Sequence, residues 1–221
     1  RQLAPTKQVI LAAYMKPLQG AQSDELIAAE AATLLTSAAI WANGGFHLLM
    51  GEHNGALCDP YYTDYAPMRP EFADTMRRYY DFVVRYENIL SDLELVTLPG
   101  TDEQQIIHIP AIPASPCAET GKIWTIARRK PGLTTVSLIN LSEATDTNWN
   151  APKALALPRN NIEVEIQVTD TVQSIFAASP DHEEGRPQPL AHTLLQKGEH
   201  SWVRVSLPYL HYWSTIVIKT L

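Results

Sequence analysis

The sequence predicts an α/β half followed by an all-β half, with the change near Leu95. Two observations carry this prediction. Before Leu95, two short, continuously apolar runs at 7–14 and 46–50 each lead into a stretch of helical spacing. After it, about eight short alternating segments lie between clusters of Pro, Gly, Asn and Asp, the pattern of an antiparallel β-sandwich or jelly roll. The predicted domains are therefore 1–94 and 95–221.

The elements follow in order. Residues 7–14 (KQVILAAY) read as a strand buried on both faces and ended by Lys16-Pro17. Ser23 is placed to cap a helix with Asp24 and Glu25 in its first turn, near the positive end of the helix dipole. Its apolar pattern runs through Leu26, Ile27, Leu34, Ala38 and Trp41, and Asn43-Gly44-Gly45 stops it. Residues 46–50 (FHLLM) form a second buried strand, and 51–69 a long loop. Pro70 fits a first helical position, and apolar residues at helical spacing continue from Phe72 to about Asp92. In the second half the expected strands are 105–109, 123–128, 133–140, 162–168, 174–178, 188–196, 201–207 and 213–219. Asn160-Asn161 and Lys197-Gly198 are expected tight turns, and 109–116 a proline-rich loop. Two parallel strands and two helices cannot cover both faces of their own sheet, so the first half is expected to need further partners.

Composition narrows the function. A chain of 221 residues with 45% apolar and 19% charged residues is long enough, and apolar enough, to bury a core, which excludes a disordered or disulfide-stapled class. The net charge is -7 and no basic cluster exceeds Arg128-Arg129-Lys130, so no nucleic-acid partner is expected. The longest apolar run, 28–42, is interrupted by Glu30, Thr33, Thr36 and Ser37, so no membrane span is expected. The two cysteines fit either redox compartment. The chain starts at Arg1 without the build of a signal peptide, and a piece of a longer protein is expected.

The stretch Gly51-Glu52-His53-Asn54-Gly55-Ala56-Leu57-Cys58-Asp59-Pro60-Tyr61-Tyr62 follows a strand directly, where parallel α/β folds gather their ligands. Glu52, His53, Asn54 and Asp59 supply donors and acceptors and Tyr61 and Tyr62 supply flat faces, as a carbohydrate requires. The same residues also read as a polar loop that caps its own backbone. The seven histidines show no zinc spacing, and no GxSxG, P-loop or GxGxxG occurs, so no metal or cofactor is expected. Cys58 near His53 reads as a buried cysteine before it reads as a thiol dyad. Trp41, Tyr79, Tyr80, Phe82 and Tyr86 read as core. For Trp124, Trp149, Trp202 and Trp213 an inter-sheet core is favoured over an exposed sugar-binding row, and 181–184 reads as a solvated loop.

Several blocks resemble glycoside hydrolase family 66, the dextranases and cycloisomaltooligosaccharide glucanotransferases. They are GGFHLLMGEHNGALCDPYY at 44–62, RRYYDFVVRYENIL at 77–90, KIWTIARRKPGLTTVSLINL at 122–141, TNWN at 147–150, ASPD at 178–181 and LPYLHYW at 207–213. The resemblance implies a secreted or cell-surface glycosidase with a (β/α)8 barrel and a C-terminal antiparallel sandwich of Greek-key type. It would act on α-1,6-glucan with retention, which needs two carboxyl groups about 5 to 5.5 Å apart. Residues 7–14 and 46–50 then resemble the last two barrel strands, and the catalytic pair would lie on strands this chain lacks, so no catalytic residue is assigned. Glu52, His53 and Asn54, and more weakly Tyr61 and Tyr62, are the expected sugar contacts. The expected partners are a glucan or oligosaccharide, and either the remainder of the barrel or a second copy of the chain against the uncovered strands. The alternative is a carbohydrate-binding or barrel-bracing sandwich without activity.

Overall fold

The computed structural model describes residues 6–60, 65–99 and 105–221. The chain is mostly sheet and falls into two compact units, Arg1–Leu93 with Glu143–Ala156, and Glu94–Ser142 with Leu157–Leu221. Residues 143–156, inside the stretch expected to belong wholly to the sandwich, thus fold with the first unit.

The first unit contains β1 (Ile10–Leu11), α1 (Ser23–Ala42), β2 (Phe46–His47), β3 (Gly55–Leu57), β4 (Tyr65–Pro67), α2 (Pro70–Arg85) and α3 (Glu87–Leu90). β1 and β2 pair in parallel, Ile10 opposite Phe46 and Leu11 opposite His47. The runs expected as strands buried on both faces pair for two residues only, and Ile10, Leu11 and Leu48 are exposed at 68%, 44% and 50%. No further strand flanks the pair among the described residues, so nothing extends the ladder or covers these side chains.

Helix α1 is buried almost all round from Ala29 to Ala42, because residues 143–156 lie against it as a strap. Thr36 Oγ1 donates to Trp149 O at 3.1 Å and Lys153 N to Ala28 O at 3.0 Å. A helix covered on all sides needs no polar face, which explains the evenly apolar sequence. By length and composition this helix could cross a membrane, and 72% of the qualifying window is buried inside the chain. The expected Ser23 cap is displaced: Ser23 is the first helical residue, and Gln22 stands at the cap without a side-chain hydrogen bond. At the other end Gly44, with φ +79°, gives its N–H to Trp41 O at 2.8 Å, closing the helix as expected.

Helix α2 begins at Pro70 and buries Phe72, Met76, Tyr79, Phe82 and Val83 on one face. Trp41 packs among Tyr79, Tyr80 and His47, edge-on to the Tyr80 ring at 5.3 Å. The continuous helix expected to about Asp92 is broken at Tyr86, after which α3 adds one turn.

The second unit contains β5 (Val96–Thr97), β6 (Ile107–His108), β7 (Ala114–Ser115), β8 (Ile123–Lys130), β9 (Leu133–Asn140), β10 (Arg159–Val168), β11 (Val172–Ala178), β12 (Gln188–Pro189), β13 (His192–Lys197), β14 (His200–Leu210) and β15 (Trp213–Thr220). One sheet has the order β13-β14-β10-β6; the other has β12-β11-β15-β9-β8-β5, with β7 parallel to β8. Alternate residues of both sheets, among them Val164, Ile166, Val203, Val205, Ile216 and Ile218, form the core.

Four expectations for the second half of the chain are corrected. Residues 188–196 are two strands in different sheets; Pro189 cannot donate to a ladder and ends β12. Asn160-Asn161 lies inside β10, where Asn161 takes φ +52° and the ladder skips it opposite Pro208, which has no N–H to give. The supposedly solvated Asp181 is half-buried, and its Oδ2 accepts from Tyr212 N at 2.9 Å and Trp213 N at 3.0 Å, fixing the reversal into β15. Trp149 is 49% exposed and belongs to the first unit, not to an inter-sheet core. Trp202 and Trp213 are buried but stand outside the core cluster between the sheets, on the strand faces opposite Val203 and Ile216, and Gly198 makes the expected turn at φ +60°.

The outer face of the smaller sheet holds one buried carboxylate. Glu165 is 2% exposed, faces His108 and Arg204 across the register, accepts from Arg204 at 2.7 Å and from His108 Nδ1 at 2.8 Å, and also accepts from Lys197. Burial pushes its pKa up, but the donors from Lys197, His108 and Arg204 prevail and hold it at about 2.

Candidate functional site

The segment after β2 is a hydrogen-bonded ribbon in place of the long loop expected. Leu57 N donates to Leu49 O at 2.7 Å and Gly51 N to Gly55 O at 2.8 Å, while β3 and β4 pair from Gly55 opposite Pro67 to Leu57 opposite Tyr65. Met15 N, beyond the end of β1, donates to Leu57 O at 2.9 Å, so the segments following both parallel strands are tied together at their carboxyl ends.

Glu52, His53 and Asn54 form a single 3-10 turn at the tip of this ribbon, and all three are exposed. His53 and Asn54 have φ of +52° and +56°. Left-handed backbone at two successive non-glycine residues costs on the order of 1 kcal/mol or more each, and such strain gathers at working sites. The turn is held from below: Met68 N donates to Asn54 O at 3.2 Å, and the Tyr65 ring lies over Gly51. The turn thus presents a carboxylate, an imidazole and an amide side by side, a set that suits the hydroxyls of a polyol. Tyr61 and Tyr62 lie outside the described residues. Asp59 is half-buried, and Cys58 is 2% exposed and in no disulfide. Among the described residues no group of three or more His, Cys, Asp or Glu is placed to hold a metal.

Two supports brace the ribbon. Glu30 of α1 is 6% exposed and receives two bonds from Arg69 at the start of α2, Nε to Oε1 at 2.9 Å and Nη2 to Oε2 at 2.5 Å. The hydrogen bond to Glu30 raises the already high Arg69 pKa, so the guanidinium stays charged. Beneath β2, His47 Nε2 meets Ala13 O at 3.0 Å, and its Nδ1 meets Ser37 Oγ at 2.9 Å. A carbonyl can only accept, so Nε2 carries the proton and Nδ1 accepts from the serine. Burial lowers the His47 pKa, which keeps the ring neutral. Tyr80 Oη closes the cluster by donating to His47 O at 2.8 Å.

Sequence reasoning found the turn but missed Tyr65, the Glu30–Arg69 pair and the strap. The two glycines spaced four apart around Glu52–Asn54 were a usable signal for close packing by a large side chain. Nothing local announces the ion pair, whose partners lie 39 positions apart.

The fold is a mostly-β chain in which a small parallel α/β piece carries an exposed polar turn. The chain belongs to glycosyl hydrolase family 66, whose model matches residues 1–217. It is 29% identical over 188 residues to a cycloisomaltooligosaccharide glucanotransferase of Niallia circulans, covering 84% of this chain and 19% of that protein. To a dextranase of Streptococcus salivarius it is 24% identical, covering 96% of this chain and 30% of that protein. The crystal structure of a Paenibacillus sp. cycloisomaltooligosaccharide glucanotransferase complexed with cycloisomaltoheptaose superposes with a TM-score of 0.80 at 29% identity, covering 85% of this chain and 27% of that one. The chain therefore spans under a third of the length of each of these relatives.

Proposed function

We propose that this chain is the C-terminal part of an extracellular glycosidase that acts on α-1,6-glucan with retention, and that its exposed turn contacts the sugar. Residues 1–94 are read as the last two strand-helix units of a (β/α)8 barrel, and 95–221 as the sandwich that follows it. The observation that carries this reading is the parallel β1–β2 pair, with exposed apolar residues beside it and the Glu52–Asn54 ribbon at its carboxyl end, the end at which barrels bind substrate. The names of the relatives supply the substrate class. Glu52, His53 and Asn54, with Tyr61 and Tyr62, are the proposed sugar contacts. The catalytic carboxylates are assigned to the rest of the barrel, which is also the proposed cover for Ile10, Leu11 and Leu48.

Purified alone, the chain is expected to release no reducing sugar from dextran, and rapid release would defeat the reading. In the complete enzyme, Glu52→Gln is expected to raise KM for dextran several-fold; unchanged kinetics would remove Glu52 from the site. The second reading, a sandwich that only braces the barrel, is favoured by the burial of Trp202 and Trp213, which leaves these two without a face for sugar.

A further inference from the structure

Four of the five tryptophans have their surfaces committed. Trp41 and Trp213 are fully packed, and Trp202 is 8% exposed beneath Lys197, whose Nζ lies 4.5 Å from the ring centroid. Trp124 is half-buried and gives Nε1 to Pro116 O at 3.1 Å. Trp149 differs on each count. It is 49% exposed, and among the described residues no ring stacks on its indole and no acceptor meets its Nε1.

Its backbone is hydrogen-bonded on both sides. Trp149 O accepts from Thr36 Oγ1 at 3.1 Å, and Asn150 Oδ1 accepts from Lys16 N at 3.1 Å. Lys153, 6% exposed, gives its Nζ to Asp146 Oδ1 at 2.9 Å, Asn148 O at 2.6 Å and Ala151 O at 3.0 Å. A ligand that stacks on a mobile loop must first order it, and here the order already exists. Next to it in the chain, Asn148 is exposed; its Oδ1 accepts from Asn150 N at 3.3 Å, which leaves its amide N–H groups for a ligand. A fixed flat face with a spare indole N–H and a neighbouring amide matches a pyranose, which has an apolar C–H face rimmed by hydroxyls.

We propose that Trp149, with Asn148 next to it in the chain, is a sugar-stacking platform on the 143–156 strap, built of residues other than the Glu52–Asn54 turn, that takes one pyranose ring of an α-linked glucan. The sugar's identity rests on the reading given under Proposed function; the platform rests on the exposure and mounting of Trp149.

The test is calorimetric titration of the chain with isomaltotriose, followed by tryptophan fluorescence, for the wild type, Trp149→Ala, Trp149→Phe and Glu52→Gln. The expected results are an emission change on binding, about tenfold weaker binding for Trp149→Ala, and a smaller loss for Trp149→Phe, which keeps a flat face but not the indole N–H. Far-ultraviolet circular dichroism and thermal melting should report the same fold in all four proteins. Binding that is weakened by Glu52→Gln but not by Trp149→Ala overturns the platform and leaves the reading of the turn intact. Trp149-dependent binding of cellotriose in place of isomaltotriose keeps the stacking role of Trp149 but overturns its assignment to an α-linked glucan. No binding of either sugar by the wild type overturns the platform.

Discussion

A β-carbon placed on Gly51 would lie 2.0 Å from Cε1 of Tyr65, so the aromatic ring occupies the space that any other residue at position 51 would need. At Gly55 the obstruction is Tyr65 Cβ at 2.6 Å and Glu52 O at 3.0 Å. A tyrosine ring can swing away, whereas its Cβ and a backbone carbonyl cannot. Gly51→Ala is therefore expected to cost about 1–3 kcal/mol and Gly55→Ala more, as overpacking does. Urea denaturation ranks the two; an equal or reversed order would contradict the ring's role. Tyr65→Ala should recover much of the Gly51→Ala loss and less of the Gly55→Ala loss.

The Glu30–Arg69 pair is asymmetric, since the side chain of Glu30 is 8% exposed and that of Arg69 is 40% exposed. Removing the arginine strands a buried carboxylate, while removing the carboxylate leaves an arginine that reaches water. Arg69→Met should cost about 2–3 kcal/mol and Glu30→Met about 1 kcal/mol or less. Equal losses in thermal melts would mean that the pair is as solvated at one end as at the other.

His47 sets a neutral-side limit on stability. Its folded pKa is depressed from 6.5 by burial, so below pH 6.5 the unfolded chain takes up a proton that the native ring refuses. Stability is then complete above that pH and falls as the pH drops below it. Urea midpoints at pH 7.5 and 5.5 should differ, and His47→Asn should shrink the difference. A slope untouched by the substitution would assign the effect to the other histidines.

Glu165 acts at lower pH and through the opposite balance. Its folded pKa of about 2 lies below the ordinary 4.5, so its contribution is complete above pH 4.5 and is lost as pH falls toward 2. Glu165→Gln should be less stable than wild type at pH 6, with the gap closing by pH 2.5. A constant gap across that range would show that packing, and not charge, makes the difference.

The sequence determined the local elements of this protein and the place where its pattern changes. Helix α1 ends at Asn43-Gly44 because only a residue free of a β-carbon turns left-handed there at no cost, and β9 spans Leu133–Asn140 as its alternation requires. The polar turn at Glu52–Asn54 was legible from its position after a strand. The family resemblance was legible from blocks whose residues need no neighbours to be recognised. What tertiary structure decided depends on residues far apart in the chain. Residues 143–156 leave the sandwich to cover α1, Trp149 is thereby exposed in place of joining a core, and Glu30 meets Arg69. β1 and β2 stay two residues long because no described strand flanks them, and hydrophobicity alone cannot supply the hydrogen-bonding partners that a sheet needs.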